Sequence, residues 1–199
     1  MTGVRLAFEG VACLRGQRLV FEGLTFALGP GDAALVNGPN GIGKSSLLRL
    51  AAGLLAPAVG RIVHEGRLAL ADENLALDRH RTLGSALDFW AMLDAGDSAT
   101  GMDAFGLTHL APVPVRMLST GQRKRATLAR VVASGAAIWL LDEPANGLDT
   151  DSVDRLGAAM AAHRAAGGIV LAASHQPLDL ADARQIDLTR RSGSPGIEA

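Results

Sequence analysis

The chain opens on an alternating pattern. Val4, Leu6 and Phe8 fall on one face of an extended segment, which predicts an antiparallel strand with one side in the core. A second strand is predicted over 24–28, closed by the turn signal Gly29-Pro30-Gly31-Asp32. Residues 33–36 are uniformly apolar and run into a glycine-rich loop. From 44 to 52 the period becomes helical, with Leu47, Leu48, Leu50 and Ala51 on the buried side. Ala56-Pro57-Ala58-Val59-Gly60 then interrupts the chain before two short strands near 61–64 and 67–71.

The middle of the chain changes character. Leu83, Ala86, Leu87, Trp90 and Leu93 predict a helix over 82–93, 96–101 reads as loop, and a second short helix is expected to end near 105–106. Residues 75–118 thus read as a small helical lobe inserted into a larger domain. Beyond it the pattern predicts a helix over 119–133, a buried strand over 138–141, a helix over 151–166 and a buried strand over 169–173. Strands alternating with helices indicate an α/β fold: a mainly parallel core sheet preceded by antiparallel N-terminal strands. We read 1–199 as one domain, with 1–74 and 119–191 forming the core and 192–199 a frayed tail of Ser, Gly and Pro.

Composition narrows the possibilities only a little. With 199 residues, 48% of them hydrophobic, the chain can bury a sizeable core. A net charge of −1 supplies no global field for nucleic acid or an acidic membrane. The single cysteine, Cys13, excludes an intrachain disulfide and fits a reducing compartment. Uncharged runs such as 131–141 fall short of the about 20 residues that cross a bilayer. The first residues lack the basic-then-apolar pattern of a signal peptide, so any membrane role is expected to come through a partner.

The chemistry lies in short motifs. Gly38-Pro39-Asn40-Gly41-Ile42-Gly43-Lys44-Ser45-Ser46 matches a phosphate-binding loop between a predicted strand and a predicted helix, the context that motif requires. Its glycines let successive backbone N–H groups turn toward phosphate oxygens, and the helix that follows adds its positive end. Lys44 can reach the β- and γ-phosphates, and Ser45 can offer a hydroxyl to Mg²⁺. The apolar run 138–141 ends in Asp142-Glu143-Pro144, and two carboxylates cannot stay inside a buried strand. They must emerge at its end, where Asp142 would hold Mg²⁺ and Glu143 would act as general base. A solvated acidic turn is the plain alternative.

Ser119-Thr120-Gly121-Gln122 has two readings. Ser-x-x-Gln is a capping box for the helix that follows, and the same capped N-terminus is an anion site. Arg123, Lys124 and Arg125 in the first turn oppose the helix dipole, so capping alone does not account for them. Nearby phosphate or acidic groups would offset that cost, and a solvated basic face is the competing reading. No aromatic residues are interleaved with the charges, which argues against a nucleic-acid patch.

In this order the loop, Leu118-Ser119-Thr120-Gly121-Gln122, Leu140-Leu141-Asp142-Glu143-Pro144, Gly147-Leu148-Asp149 and His175 resemble the ATP-binding cassette ATPases over nearly the whole chain. The 23-residue step from Ser119 to Asp142 and the 33-residue step from Asp142 to His175 suit that family. The resemblance implies MgATP and a head-to-tail homodimer with two nucleotides at the interface. Each would lie between one subunit's P-loop and the Ser119, Gly121 and Gln122 of the other. Asp149 would lie on the dimer contact, and His175 would meet the γ-phosphate and hold the attacking water.

Within the family, 115–125 flowing into Leu128-Ala129-Arg130, together with 136–144 and Ser174-His175-Gln176-Pro177, is similar to the ATP-binding subunits of haem exporters in cytochrome c maturation. That likeness implies integral membrane partners, haem export or handover, and a peripheral position on the cytoplasmic face of the inner membrane. Three departures stand out. Thr120 replaces a glycine. The glutamine joining sheet to helical lobe is absent, and Asn74 takes its place in the register adopted here, with Asp72 and Glu73 competing. Arg15, in place of an aromatic residue, would stack on the base. Another small exporter, a mechanical ATPase on nucleic acid and a small P-loop kinase are the rival readings. The mechanical enzymes typically carry tandem cassettes, a coiled-coil insertion or a basic surface, and the kinase leaves Ser119–Gln122 unexplained.

Overall fold

The computed structural model describes residues 3–188. Its eight strands are β1 (Arg5–Arg15), β2 (Arg18–Leu28), β3 (Ala33–Asn37), β4 (Val59–Glu65), β5 (Leu68–Ala71), β6 (Ile138–Asp142), β7 (Ile169–Ala173) and β8 (Arg184–Asp187). The α-helices are α1 (Lys44–Ala51), α2 (Leu83–Asp94), α3 (Ser98–Ala104), α4 (Thr120–Ala133) and α5 (Thr150–Ala165). An antiparallel sheet runs β2-β1-β4, and a five-stranded parallel sheet runs β5-β6-β7-β3-β8.

Two apolar cores flank the parallel sheet, and the period-2 geometry of strands sorts side chains between them. Ile138, Leu140, Ile169, Leu171, Ala34 and Val36 join Leu47, Leu48 and Leu50 of α1 with Leu6, Phe8 and Phe26 of the antiparallel sheet. Trp139, Leu141, Val170, Ala172, Ala33 and Leu35 face the opposite way, onto α4, α5 and the 75–118 helices. Helix α1 is therefore held between two sheets. Leu47 is fully buried, and its truncation to Ala carries the usual core cost of about 2–5 kcal/mol. On the other side Trp139 stacks on His163 of α5, with 3.9 Å between ring centroids. Burial pushes the His163 imidazole below its ordinary pKa, against the opposing pull of the Ile169 and Ala137 backbone.

The structure departs from the sequence pattern in four places. Strand β1 continues to Arg15 through register shifts, Gly10 has φ +61°, and Leu6, Ala7 and Phe8 are all buried. One-sided alternation fails there because the strand is covered on both faces. Strand β2 starts at Arg18, well before 24. The stretch 96–101 is not all loop, since α3 begins at Ser98 with Asp97 accepting from the N–H groups of Ala99 and Thr100. Its glycines permit close packing: a Cβ on Gly101 would lie 2.2 Å from the Ala129 carbonyl oxygen, and one on Gly96 1.9 Å from that of Ala133. Strand β8 lies outside the sequence pattern, because Arg-Gln-Ile-Asp has a single buried residue, Ile186. The expected tail lies outside the described residues.

Candidate nucleotide site

The sheet order β6-β7-β3 places three C-terminal strand ends side by side, the edge where open α/β sheets bind ligands. The P-loop leaves β3, Asp142 and Glu143 leave β6, and Ser174-His175 leave β7. Gly38, Gly41 and Gly43 have φ of +141°, +81° and +120°. Gly43 sits at the N-cap of α1 with no side-chain cap, so the first-turn N–H groups stay open to a ligand. A Cβ there would also lie 2.3 Å from Val20. Asn40, Gly41, Gly43, Lys44, Ser45, Ser46 and Glu143 line a cleft of about 330 Å³.

Inside it the charges interlock. Lys44 is 6% exposed, donates to Gly38 O at 2.8 Å and Pro39 O at 3.4 Å, and lies 3.5 Å from Glu143 Oε1. Glu143 Oε2 is 2.8 Å from His175 Nδ1 and accepts from the His175 backbone N–H at 3.2 Å. Glu143 itself has φ +47°, and its N–H donates to Ala173 O, extending the β6–β7 ladder by one residue. Burial pushes the Glu143 carboxyl up, but the His175 hydrogen bonds and charge, with Lys44, hold it below the ordinary range. Asp142 goes the other way. Burial raises it, the Ser45 hydroxyl and Lys124 oppose, and Glu143 adds to the rise.

Asp142 Oδ1 is buried without a hydrogen-bond partner, and the Ser45 hydroxyl acts on the same carboxyl group. A carboxylate oxygen and a neighbouring hydroxyl are the hard donors that Mg²⁺ takes alongside phosphate oxygens and water. The residues present therefore fit the ion.

Ser119, Gly121, Gln122 and Asp149 form a separate group that does not line this cleft. Ser119 Oγ accepts from the Gln122 N–H at 3.2 Å, while Gln122 Oε1 accepts from the Ser119 N–H at 2.8 Å, a complete capping box. Gly121 faces the carbonyl of Gly147, and Asp149 caps α5 by accepting from Ser152 N at 2.9 Å. The three cations in the first turn of α4 find partners within the chain. Arg123 donates to Leu118 O, Arg125 to Phe105 O, and Lys124 to Asp142 O at 3.4 Å. Burial pushes Lys124 down, and the carboxylates of Asp142, Glu143 and Asp72 pull it up. Carbonyls of the chain thus take up all three cations, and carboxylates also act on Lys124.

After β5, Asn74 does not line the cleft. Its N–H and Nδ2 both donate to the Asp72 carboxylate, at 2.9 and 3.0 Å. Glu73 is 84% exposed and pairs with Arg49 at 3.6 Å. Of the three, Asp72 is the one whose charge acts on Asp142 and Lys124. Arg15 lines a hollow of about 180 Å³ that shares Gly41, Gly43 and Ser46 with the cleft. Arg18, Leu19 and Val20 also line it, and sequence reasoning missed them. The available signal was Arg15-Gly16-Gln17-Arg18, a two-residue hairpin in which Arg15 pairs with Arg18.

Comparison with known proteins agrees with this geometry. Residues 21–146 match the family model described as ABC transporter. The chain is 61% identical over 182 residues to the cytochrome c biogenesis ATP-binding export protein CcmA of Sphingopyxis alaskensis, spanning 90% of this chain and 94% of that one. It is 57% identical over 186 residues to the protein of the same name in Zymomonas mobilis, spanning 92% and 84%. An ATP-binding protein of an ABC transporter from Pyrococcus furiosus shares the fold, with a TM-score of 0.81 at 24% identity over 95% of this chain and all of that one. P-loop, paired carboxylates and histidine thus meet at one sheet edge in a chain that belongs to the ABC transporter family, as one of its ATP-hydrolysing subunits.

Proposed function

We propose that this ATPase drives haem export or handover in cytochrome c biogenesis, on the cytoplasmic face of the inner membrane, through integral membrane subunits. The relatives at 61% and 57% identity carry the biological part of that reading. Among the described residues no helix is long and apolar enough to cross a membrane, which accords with membrane contact made through a partner.

The position of Glu143 between Lys44 and His175 carries the chemical part. The backbone of Gly38, Pro39, Asn40, Gly41, Ile42, Gly43 and Ser46 would cradle the triphosphate, and Lys44 would neutralise its outer phosphates. Mg²⁺ held by Ser45 and Asp142 would offset charge on the β- and γ-oxygens. Glu143, kept ionised by its neighbours, takes the proton of the attacking water, and His175 holds Glu143 and the water in line. Ser119, Gly121, Gln122 and Asp149, already ordered by their own caps, would complete the site of a second subunit in a head-to-tail homodimer. Asn74 would act between nucleotide and helical lobe.

The test is purification of the chain from membranes, with identification of what it binds and measurement of MgATP hydrolysis. An integral membrane partner, with haem transfer lost in Glu143→Gln, is expected. A partner that moves a different solute would leave the ATPase intact and replace the haem assignment.

A further inference from the structure

Residues 70–76 leave the C-terminal end of β5, next to the Asp142 end of β6, and lead to the helical lobe. Among the described residues, no main-chain to main-chain hydrogen bond holds 72–76. Their place is set by side chains. Arg130, in α4, donates to Leu70 O at one end of the segment, and Trp90, in α2, donates its Nε1–H to Ala76 O at 2.5 Å at the other. The two holders grip each other, with the Arg130 guanidinium 5.1 Å from the Trp90 ring centroid. Between the anchors stands Asp72, which binds the Asn74 main chain and side chain and lies in the field of Asp142 and Lys124.

We propose that Arg130 and Trp90 are positioning residues for ATP hydrolysis: a cation–π clamp that holds both ends of 70–76 and so fixes Asp72 and Asn74 against the Asp142 site. The geometry is specific. Both donors reach carbonyls that bracket one loop, and they come from different helices, α4 and α2. A displacement of α2 must therefore move Ala76 and, through the ring, load the contact at Leu70. The clamp is a mechanical route from lobe to metal carboxylate that does not depend on which of Asp72, Glu73 or Asn74 meets the nucleotide. This inference rests on the reading of Asp142 and Glu143 as an MgATP-hydrolysing site.

The experiment uses the full chain and three variants. Trp90→Phe keeps a ring under the guanidinium but removes the bond to Ala76; Arg130→Met removes the cation; Arg130→Lys keeps charge and one donor. Steady-state MgATP hydrolysis, the ATP-induced melting shift and amide exchange over 72–76 are measured together. In Trp90→Phe and Arg130→Met, KM and the ATP shift stay within about twofold of wild type while kcat falls about 3- to 30-fold. Exchange over 72–76 accelerates about tenfold with α1 and α4 unchanged, and Arg130→Lys recovers part of kcat. Faster exchange with unchanged kcat would reduce the pair to lobe packing and overturn the proposal. So would a loss spread evenly over exchange, KM and kcat. If Arg130→Met does not fold, Trp90→Phe decides alone. A wild-type chain without ATP shift or turnover would instead sink the site reading.

Discussion

The P-loop edge and the N-terminus of α4 are both helix starts of the kind that can meet phosphate, yet they are finished to different degrees. At the P-loop edge, Lys44, Glu143 and His175 are locked together, Asp142 keeps a buried oxygen without a partner, and the helix start at Gly43 is uncapped. At α4, Ser119 and Gln122 satisfy each other, and the cations that follow are bound to carbonyls of their own chain. The first region keeps groups without a partner, whereas the second is satisfied within its own chain. Substitutions should therefore divide into those that destroy chemistry and those that first cost fold.

Glu143→Gln attacks the first region most directly. It preserves shape and removes the proposed base, so turnover should fall about 10²- to 10⁴-fold while ATP still binds. Steady-state hydrolysis against the ATP melting shift checks this, and near-normal turnover would show that another group positions the water. Gel filtration of the same variant with ATP should show a dimer accumulating.

Lys44→Ala tests binding rather than chemistry. At about 100 times its dissociation constant a ligand adds about 2.7 kcal/mol to stability, and the variant should lose most of that ATP-dependent gain. Because Lys44 is buried against Gly38 O and Glu143, stability without ATP should also change; an unaltered ATP response would remove the P-loop assignment.

Ser119→Ala breaks the comparison from the other side. Loss of the cap should cost about 1 kcal/mol in chemical denaturation with nucleotide absent, and Ser119→Thr should recover most of it. If stability held and only hydrolysis fell, the segment would be a ligand site and not a self-sufficient helix start.

Much of this was legible in the chain, for identifiable reasons. The P-loop, the end of β6 and His175 are local patterns whose register is fixed by parallel pairing, as with Asp142 opposite Ala173. The buried strands announced themselves as apolar runs. What escaped depends on contacts between distant residues. Gly96 and Gly101 resemble loop residues until α4 is seen against them, and β8 has too few apolar residues to register. The Asp72–Asn74 region has no sequence periodicity at all, and its side-chain bonds are visible only in three dimensions.

The smallest expected effect lies outside both regions and provides a control. His163 is held below its ordinary pKa by burial against Trp139, so between the unfolded value of about 6.5 and the lower folded one, the unfolded chain binds the extra proton. Stability should decline as pH falls through that window. His163→Phe, which keeps a stacked ring, should flatten this part of the pH profile in denaturant titrations without altering ATP binding.

The left-handed backbone of Glu143 has a consequence for how such a protein tolerates selection. A non-glycine residue at φ +47° carries strain of about 1–2 kcal/mol, and glycine or asparagine would relieve part of it. The proposed base is thus also a place where the backbone holds strain. Relief of that strain is set against loss of the ion pair to the buried Lys44. A library screened for heat resistance alone reads which of the two is larger, and glycine or asparagine at position 143 is the outcome where strain prevails.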